Sequence, residues 1–229
     1  MSKLLVSWST GKDSAWLVHV LRQRGQHPAA LLTTINEPAQ RVAMHGVRVA
    51  LVDAQAAALD LPLWKIPIPS PCPNEAYEKA MANAVRRAVD EGFTHMAFGD
   101  LFLADVRRYR EDRLAGSGLT PLFPLFGADT AVLAREMVAS GLGARITCVD
   151  PRALDRRFAG REFDAALLAE LPTAVDPCGE RGEFHTFAHR GPMFSRPIPI
   201  EPGIVVERDG FVFADFQRVC PTIHHASSA

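Results

Sequence analysis

Six consecutive residues near the start of the chain, Ser9-Thr10-Gly11-Lys12-Asp13-Ser14, combine small side chains, one glycine and one lysine. Small residues let a backbone approach an anion closely. N–H groups at a helix start, with the helix dipole behind them, favour negative charge there. Lys12 adds a full positive charge, so the segment reads as a phosphate cradle. It is neither of the two common nucleotide fingerprints. There is no GxGxxG, and against GxxxxGK[ST] Val6 stands at the first glycine. Asp13 follows the lysine, which removes the hydroxyl that usually binds magnesium. The alternative is a well-capped strand-to-helix turn with no ligand.

Three later clusters also carry reactive side chains. Gly99-Asp100 closes an apolar run, where ligands of open α/β sheets bind. RRYREDR (107–113) puts Arg107, Arg110 and Glu111 near one helical face and Arg108 and Asp112 on another, the pattern of a solvated, ion-paired surface. In DPCGERGEFHTF (176–187), Glu180 and Glu183 flank Gly182 and precede His185 and Thr186. Carboxylates on such a loop can aim at a bound cation or an ammonium ion, or can cap the backbone of a turn. Cys178 reads as a packed small apolar residue or as a sulfur carrier. His45 in RVAMHGV either reaches the sheet edge or sits on the surface at a helix start. His224 and His225 lie in a polar tail and receive no role.

The elements that must position these groups alternate regularly. LLVSW (4–8), AALLTTI (29–35), LPLWKIPI (61–68) and THMAFGD (94–100) read as short buried strands. Helical spacing runs over 13–24, 47–59 and 74–91, with Asn74 as an expected N-cap and Gly25 and Gly92 as stops. Strict alternation predicts a parallel sheet covered by helices on both faces. LTPLFPLF (119–126) holds two prolines and is at best an edge strand or a linker. A helix capped by Asp129 over 129–140 and a strand over 144–150 follow. The stretch after Pro172 is long and unperiodic, and its phenylalanines disfavour disorder. IVVERDGFVFADF is a hairpin turning at Asp209-Gly210. A soft boundary near Gly118 divides the chain into 1–118 and a smaller α+β domain, 119–229.

The bulk properties narrow the function classes. With 229 residues, 48% of them hydrophobic, the chain can bury one large core or two smaller ones. A formal charge of -1 provides no general field for nucleic acid or anionic lipid, so nucleic acid is disfavoured as a partner. The N-terminus does not read as a signal peptide, and no run is long enough to span a bilayer. Cys72, Cys148, Cys178 and Cys220 are far apart, as reduced thiols in the cytoplasm would be. A cytoplasmic protein without membrane contact is the expectation, and a homodimer is compatible with it.

STGKDS after an apolar strand resembles the SGGxDS loop of the ATP pyrophosphatase (PP-loop) superfamily, with Thr10 at one glycine. FGDLFLADVRRYRED (98–112), DTAVLAREMVASGLGARITCVD (129–150) and DPCGERGEFHTF (176–187) occur in that order, and together they resemble the diphthine–ammonia ligase family. The resemblance reaches nearly to the hairpin, and GERGEFHTF is its most specific part.

This resemblance implies a Rossmann-like sheet of the HUP type with a C-terminal domain closing over an ATP site. It implies that a substrate oxygen attacks the α-phosphorus, releasing pyrophosphate, and that ammonia then displaces AMP. On that basis Ser9, Thr10, Gly11, Lys12, Asp13 and Ser14 hold the triphosphate, and the Thr10 hydroxyl is able to donate to it. Adenine is expected over the first two strands near Ser7 and Thr33, and Gly99 and Asp100 complete the nucleotide site. Asp13 and Asp100 are expected to share Mg²⁺. Lys12, Asp13, Glu180 and Glu183 are the expected catalytic groups, with Glu183 holding or deprotonating ammonium. Arg108, Tyr109, Gly182, His185 and Thr186 are expected to bind the acceptor. That acceptor is diphthine on elongation factor 2 if the host makes it, otherwise a small metabolite carboxylate. Two other readings are a non-catalytic nucleotide-binding HUP module and a tRNA-modifying PP-loop enzyme, which would use paired cysteines and an RNA-binding domain.

Overall fold

The computed structural model describes residues 2–219; Cys220, His224 and His225 lie outside them. The first half alternates strand and helix: β1 (Leu4–Ser7), α1 (Lys12–Gln23), β2 (Pro28–Asn36), β3 (Arg41–Val42), α2 (Val49–Leu59), β4 (Leu63–Ile68), α3 (Asn74–Asp90), β5 (His95–Ala97), α4 (Ala104–Leu114) and β6 (Thr120–Leu122). The parallel strands lie side by side as β4-β2-β1-β5-β6. β1 is central, so the crevice beyond the ends of β1 and β5 is the point where the winding reverses, where such sheets bind ligands. β3 pairs antiparallel with Ile35 and Asn36, beyond the stretch of β2 that pairs with β1.

Alternate residues of the strands serve opposite faces, as the two-residue repeat requires. Leu4, Val6, Leu31 and Ile35 pack with α1 and α2, while Leu5, Ala30 and Leu32 pack with Ala84 and Ala88 of α3 and Leu114 of α4. Helices therefore cover both faces. The second half contributes α5 (Thr130–Ala139), β7 (Gly143–Val149), α6 (Ala165–Glu170), β8 (Phe184–Arg190), β9 (Ile200–Arg208) and β10 (Phe211–Arg218). Its antiparallel sheet runs β8-β7-β10-β9. The fold is the expected α/β arrangement with a second, antiparallel unit. One apolar cluster runs without a break from α1 and α2 into Ile146, Phe187, Ala188 and Phe216 of that second sheet.

Several local expectations are met with shifted ends. Gly25 and Gly92 adopt φ of 71° and 79° just past their helices. Asp129 caps α5 by accepting from Ala131 N and Val132 N. Asp209 (φ 53°) and Gly210 (φ 80°) turn the β9–β10 hairpin, both left-handed as a two-residue turn demands. Thr120–Leu122 joins the first sheet as its edge strand, just past residue 118, with Pro121 opposite Met96. Asn74 is not an N-cap. Pro73 occupies the cap, Asn74 is already helical, and no side chain caps α3. The unperiodic stretch after Pro172 conceals β8, whose buried Phe184, Thr186, Phe187 and Ala188 face packed structure on both sides. Among the described residues no helix is long and apolar enough to cross a membrane.

Candidate active site

The loop between β1 and α1 is held from behind before it can hold anything in front. Gln55 of α2 is fully buried; it accepts from Trp8 Nε1 at 2.9 Å and donates from Nε2 to Thr10 O (2.9 Å) and Ala188 O (2.6 Å). Ala188 N also donates to Thr10 O, at 3.0 Å. Two donors on one carbonyl fix the Thr10–Gly11 peptide plane. They also keep Thr10 at φ 75°, a strained conformation for a β-branched residue. Replacing Gln55 with Leu strands Trp8 Nε1 and loosens that peptide. We expect a loss of about 2–4 kcal/mol in chemical denaturation. Stability equal to wild type would show that the clamp does not hold the loop.

Gly11 has no room for a side chain: a Cβ there would lie 2.9 Å from His45 Cε1 and 3.3 Å from Thr186 O. Gly99 lets the end of β5 approach the start of α1, because its Cβ would sit 3.3 Å from Asp13 O and Ser14 N. The first intrahelical bond of α1 runs from Ala15 N to Gly11 O, so Lys12, Asp13 and Ser14 present helix-start N–H groups. One of them is taken: Lys12 N donates to Thr186 Oγ1 at 3.0 Å.

Lys12 is buried, and its ammonium binds both Asp13 oxygens (3.0 and 2.9 Å) and the carbonyl of Cys178. Burial alone would lower its pKa, but Asp13 and the surrounding negative charge raise it, so the cation persists. The loop after β1 and the 176–187 segment, far apart in sequence, are thus tied through one side chain. They enclose a cavity of about 230 Å³. Ser7, Ser9, Lys12, Asp13 and Ser14 line one side; Gly99 and Asp100 a second; Glu180, His185 and Thr186 a third.

Glu180 Oε1 accepts from Leu101 N at 2.7 Å and, more weakly, from Phe102 N at 3.4 Å. Burial pushes its pKa up to about 7, against the pull of those bonds and with help from Asp13. His45 joins the same wall, with Nδ1 3.0 Å from Thr186 O and its ring 4.6 Å from that of His185. Burial drives His45 down to about 3, aided by His185, and His185 down to about 4, aided by Lys12. Both imidazoles are therefore neutral at pH 7. Phe98, Arg110, Cys178, Gly179 and Phe184 complete the lining.

Other expected residues stand elsewhere. Thr10 and Gly11 lie behind the cavity rather than on its wall, and the Thr10 hydroxyl is buried without a hydrogen-bond partner. Thr33 is likewise sealed in β2, its hydroxyl unpaired. Glu183 does not face the cavity. Its oxygens accept from Asp176 N (2.9 Å) and Arg181 N (3.0 Å), so it holds its own loop in shape. Gly182 (φ 86°) forms the turn that brings Glu183 back. Arg108 is exposed and off the cavity, and Tyr109, 42% exposed, lines a neighbouring groove. Arg107 pairs with Glu111 as a surface face should, but Arg110 turns inward and grips Asp100 through two bonds of 2.7 and 3.0 Å.

Magnesium usually arrives with phosphates and takes one or two protein carboxylates. Asp13, Asp100 and Glu180 line the cavity, the first two already paired with Lys12 and Arg110. No group of three or more His, Cys, Asp or Glu among the described residues forms a metal cage. The donor set fits an ion carried in by a triphosphate, not one held by protein alone.

Sequence reasoning missed Arg110, Phe98 and Gln55. Gln55 did leave a signal, a lone amide in the apolar run of VALVDAQAAAL.

Comparison with known proteins bears on the same segments. Residues 129–217 match the family model described as the diphthamide synthase C-terminal domain. A human protein named diphthine–ammonia ligase is 32% identical over 118 residues, 49% of this chain and 44% of that one. A zebrafish (Danio rerio) protein of the same name is 33% identical over 125 residues, 51% of this chain and 49% of its own. The match spans about half the length of these curated relatives. Motifs and matches agree: residues 129–217 match the diphthamide synthase C-terminal domain, and about half of the chain is similar to proteins named diphthine–ammonia ligase.

Proposed function

We propose that the protein is an AMP-forming, ATP-dependent ligase that activates a carboxylate as its acyl-adenylate and passes the acyl group to ammonia or an amine. One observation carries the reading: the STGKDS loop and the 176–187 segment meet around a single cavity at the end of β1 and β5, joined through Lys12. A carboxylate oxygen attacks the α-phosphorus and the bond to pyrophosphate breaks. Ammonia then attacks the acyl carbon, loses a proton, and AMP departs. Lys12 and the N–H groups at the start of α1 stabilise the charge that builds on the phosphates. A magnesium ion bound with the triphosphate would neutralise part of its charge, with Asp13 and Asp100 as its protein ligands.

Residues 1–118 supply the nucleotide side in this scheme, and residues 119–229 supply Glu180, His185 and Thr186 on the acceptor side. The names of the relatives point to diphthine as the acceptor; a small metabolite carboxylate takes its place in this scheme where the host makes no diphthine. Work in the cytoplasm, as a monomer or homodimer, suits such chemistry. Cys178 does not support a sulfur-transfer reading, because burial pushes its thiol up to about 12 and a protonated thiol is a poor nucleophile.

The test is nucleotide product analysis together with ATP–pyrophosphate exchange against a panel of carboxylates, with and without ammonium. AMP and pyrophosphate, with exchange that depends on one acid, are the expected result. ADP and phosphate as products would end the proposal.

A further inference from the structure

The segment facing α1 across the cavity is wound around one buried side chain, Asp176. Its Oδ2 accepts from Cys178 N at 3.1 Å and from Glu180 N at 2.9 Å, and its main-chain carbonyl accepts from Gly179 N at 2.8 Å. Three successive amides therefore point inward at a single residue. Oδ1 accepts from Thr130 Oγ1 at 2.5 Å, and Thr130 is the first residue of α5. All three partners of the carboxylate are donors, which suits an acceptor-only side chain. Behind it, Asp176 N donates to Glu183 Oε1 at 2.9 Å.

With those N–H groups turned inward, the groups that serve the cavity turn outward. The Cys178 carbonyl accepts from the Lys12 ammonium, and Glu180 Oε1 accepts from Leu101 N on the far wall. Residues 171–183 belong to no α-helix or strand, so no backbone ladder fixes Glu180.

We propose that Asp176 is the positioning residue for Glu180, setting where that carboxylate stands when it takes the proton that ammonia loses. The proposal rests on the ligase reading above and deepens it. Asp176 touches neither nucleotide nor acceptor; it acts through the amide of Glu180, and Glu183 stands one step further back, holding Asp176. The precision matters, because a misplacement of about 1 Å in a reacting group costs about 100-fold in rate.

The test compares three variants in exchange and in amide formation, with a carboxylate that supports exchange in the wild type. Asp176→Ala removes every side-chain bond and should lower kcat for amide formation about 30-fold to 100-fold. Exchange and the KM for ATP should change less than about threefold, because Lys12 keeps both of its bonds to Asp13. Asp176→Asn keeps an oxygen for Cys178 N and Glu180 N and turns its amide toward Thr130 Oγ1. It should restore amide formation to within about threefold of wild type. Asp176→Ser keeps an acceptor for one amide, should lower amide formation about tenfold, and decides the matter if the alanine variant does not fold. The amide proton resonance of Leu101 reports the seating of Glu180 with no turnover at all. It should hold its wild-type position in Asp176→Asn and move in Asp176→Ala, and partway in Asp176→Ser, toward its position in Glu180→Ala. An unmoved Leu101 resonance in the alanine and serine variants would overturn the assignment. So would equal losses in exchange and amide formation, or an asparagine variant as slow as the alanine one. If no acid supports exchange, the ligase reading fails by itself, and the Leu101 resonance alone decides whether Asp176 places Glu180.

Discussion

Replacing Lys12 with Met is expected to lower ATP–pyrophosphate exchange by about a thousandfold, on the scale of removing a preorganised charge from a developing anion. The same change costs stability. Lys12 is a buried cation whose loss leaves the Asp13 carboxylate and the Cys178 carbonyl without their partner, and breaking a buried pair from one side costs about 3–5 kcal/mol. The double variant Lys12→Met/Asp13→Asn separates the two effects. It removes the stranded charge, so most of the stability returns, while exchange stays as low as in the single variant. Recovery of exchange together with stability would show that Lys12 only braces the two segments and has no part in handling phosphates.

Replacing Glu180 with Gln is expected to lower amide formation about 100-fold, the scale of a lost proton acceptor, and exchange less than threefold. Its pKa of about 7 places the carboxyl at the midpoint of titration near neutral pH. Below that value it is protonated and cannot take the proton that ammonia must lose. At fixed free ammonia, the wild-type transfer rate should rise about tenfold per pH unit below 7 and level off above it, whereas the variant's profile should be flat across that interval. The stability effect has the opposite sign. A carboxyl whose folded pKa is raised from 4.5 to about 7 favours the folded state in acid, and that contribution fades as pH rises through 7. Glutamine has no charge to desolvate, so the variant should be more stable at pH 8, by about 2 kcal/mol after allowance for partial exposure. Equal losses in exchange and amide formation would move Glu180 from proton transfer to nucleotide binding.

The neighbouring carboxylate shows how far sequence reasoning reached. Glu180 and Glu183 look alike in GERGEF, and nothing in their spacing distinguishes them. One meets Leu101 N across the cavity; the other folds back onto Asp176 N and Arg181 N of its own loop. The difference arises from Gly182 at φ 86°, which reverses the chain between Glu180 and Glu183. RRYREDR contains a similar division. Arg107 obeys helical spacing and pairs with Glu111, whereas Arg110 finds Asp100 on the preceding strand-end loop, a partner set by how α4 leaves β5.

By itself the chain specified its alternating strands and helices, the two-faced burial of β1 and β2, the cap at Asp129, the hairpin at Asp209-Gly210 and a tight turn of small residues after β1. These follow from local periodicity and backbone preference, which act over a few residues and are written in neighbouring side chains. Tertiary structure alone decided that residues 176–187 meet that turn, that Gln55 clamps Thr10 from behind, that Thr33 is sealed away, and that Arg110 grips Asp100. Those outcomes depend on contacts between distant segments and on desolvation by the packed core, neither of which any short stretch of sequence encodes.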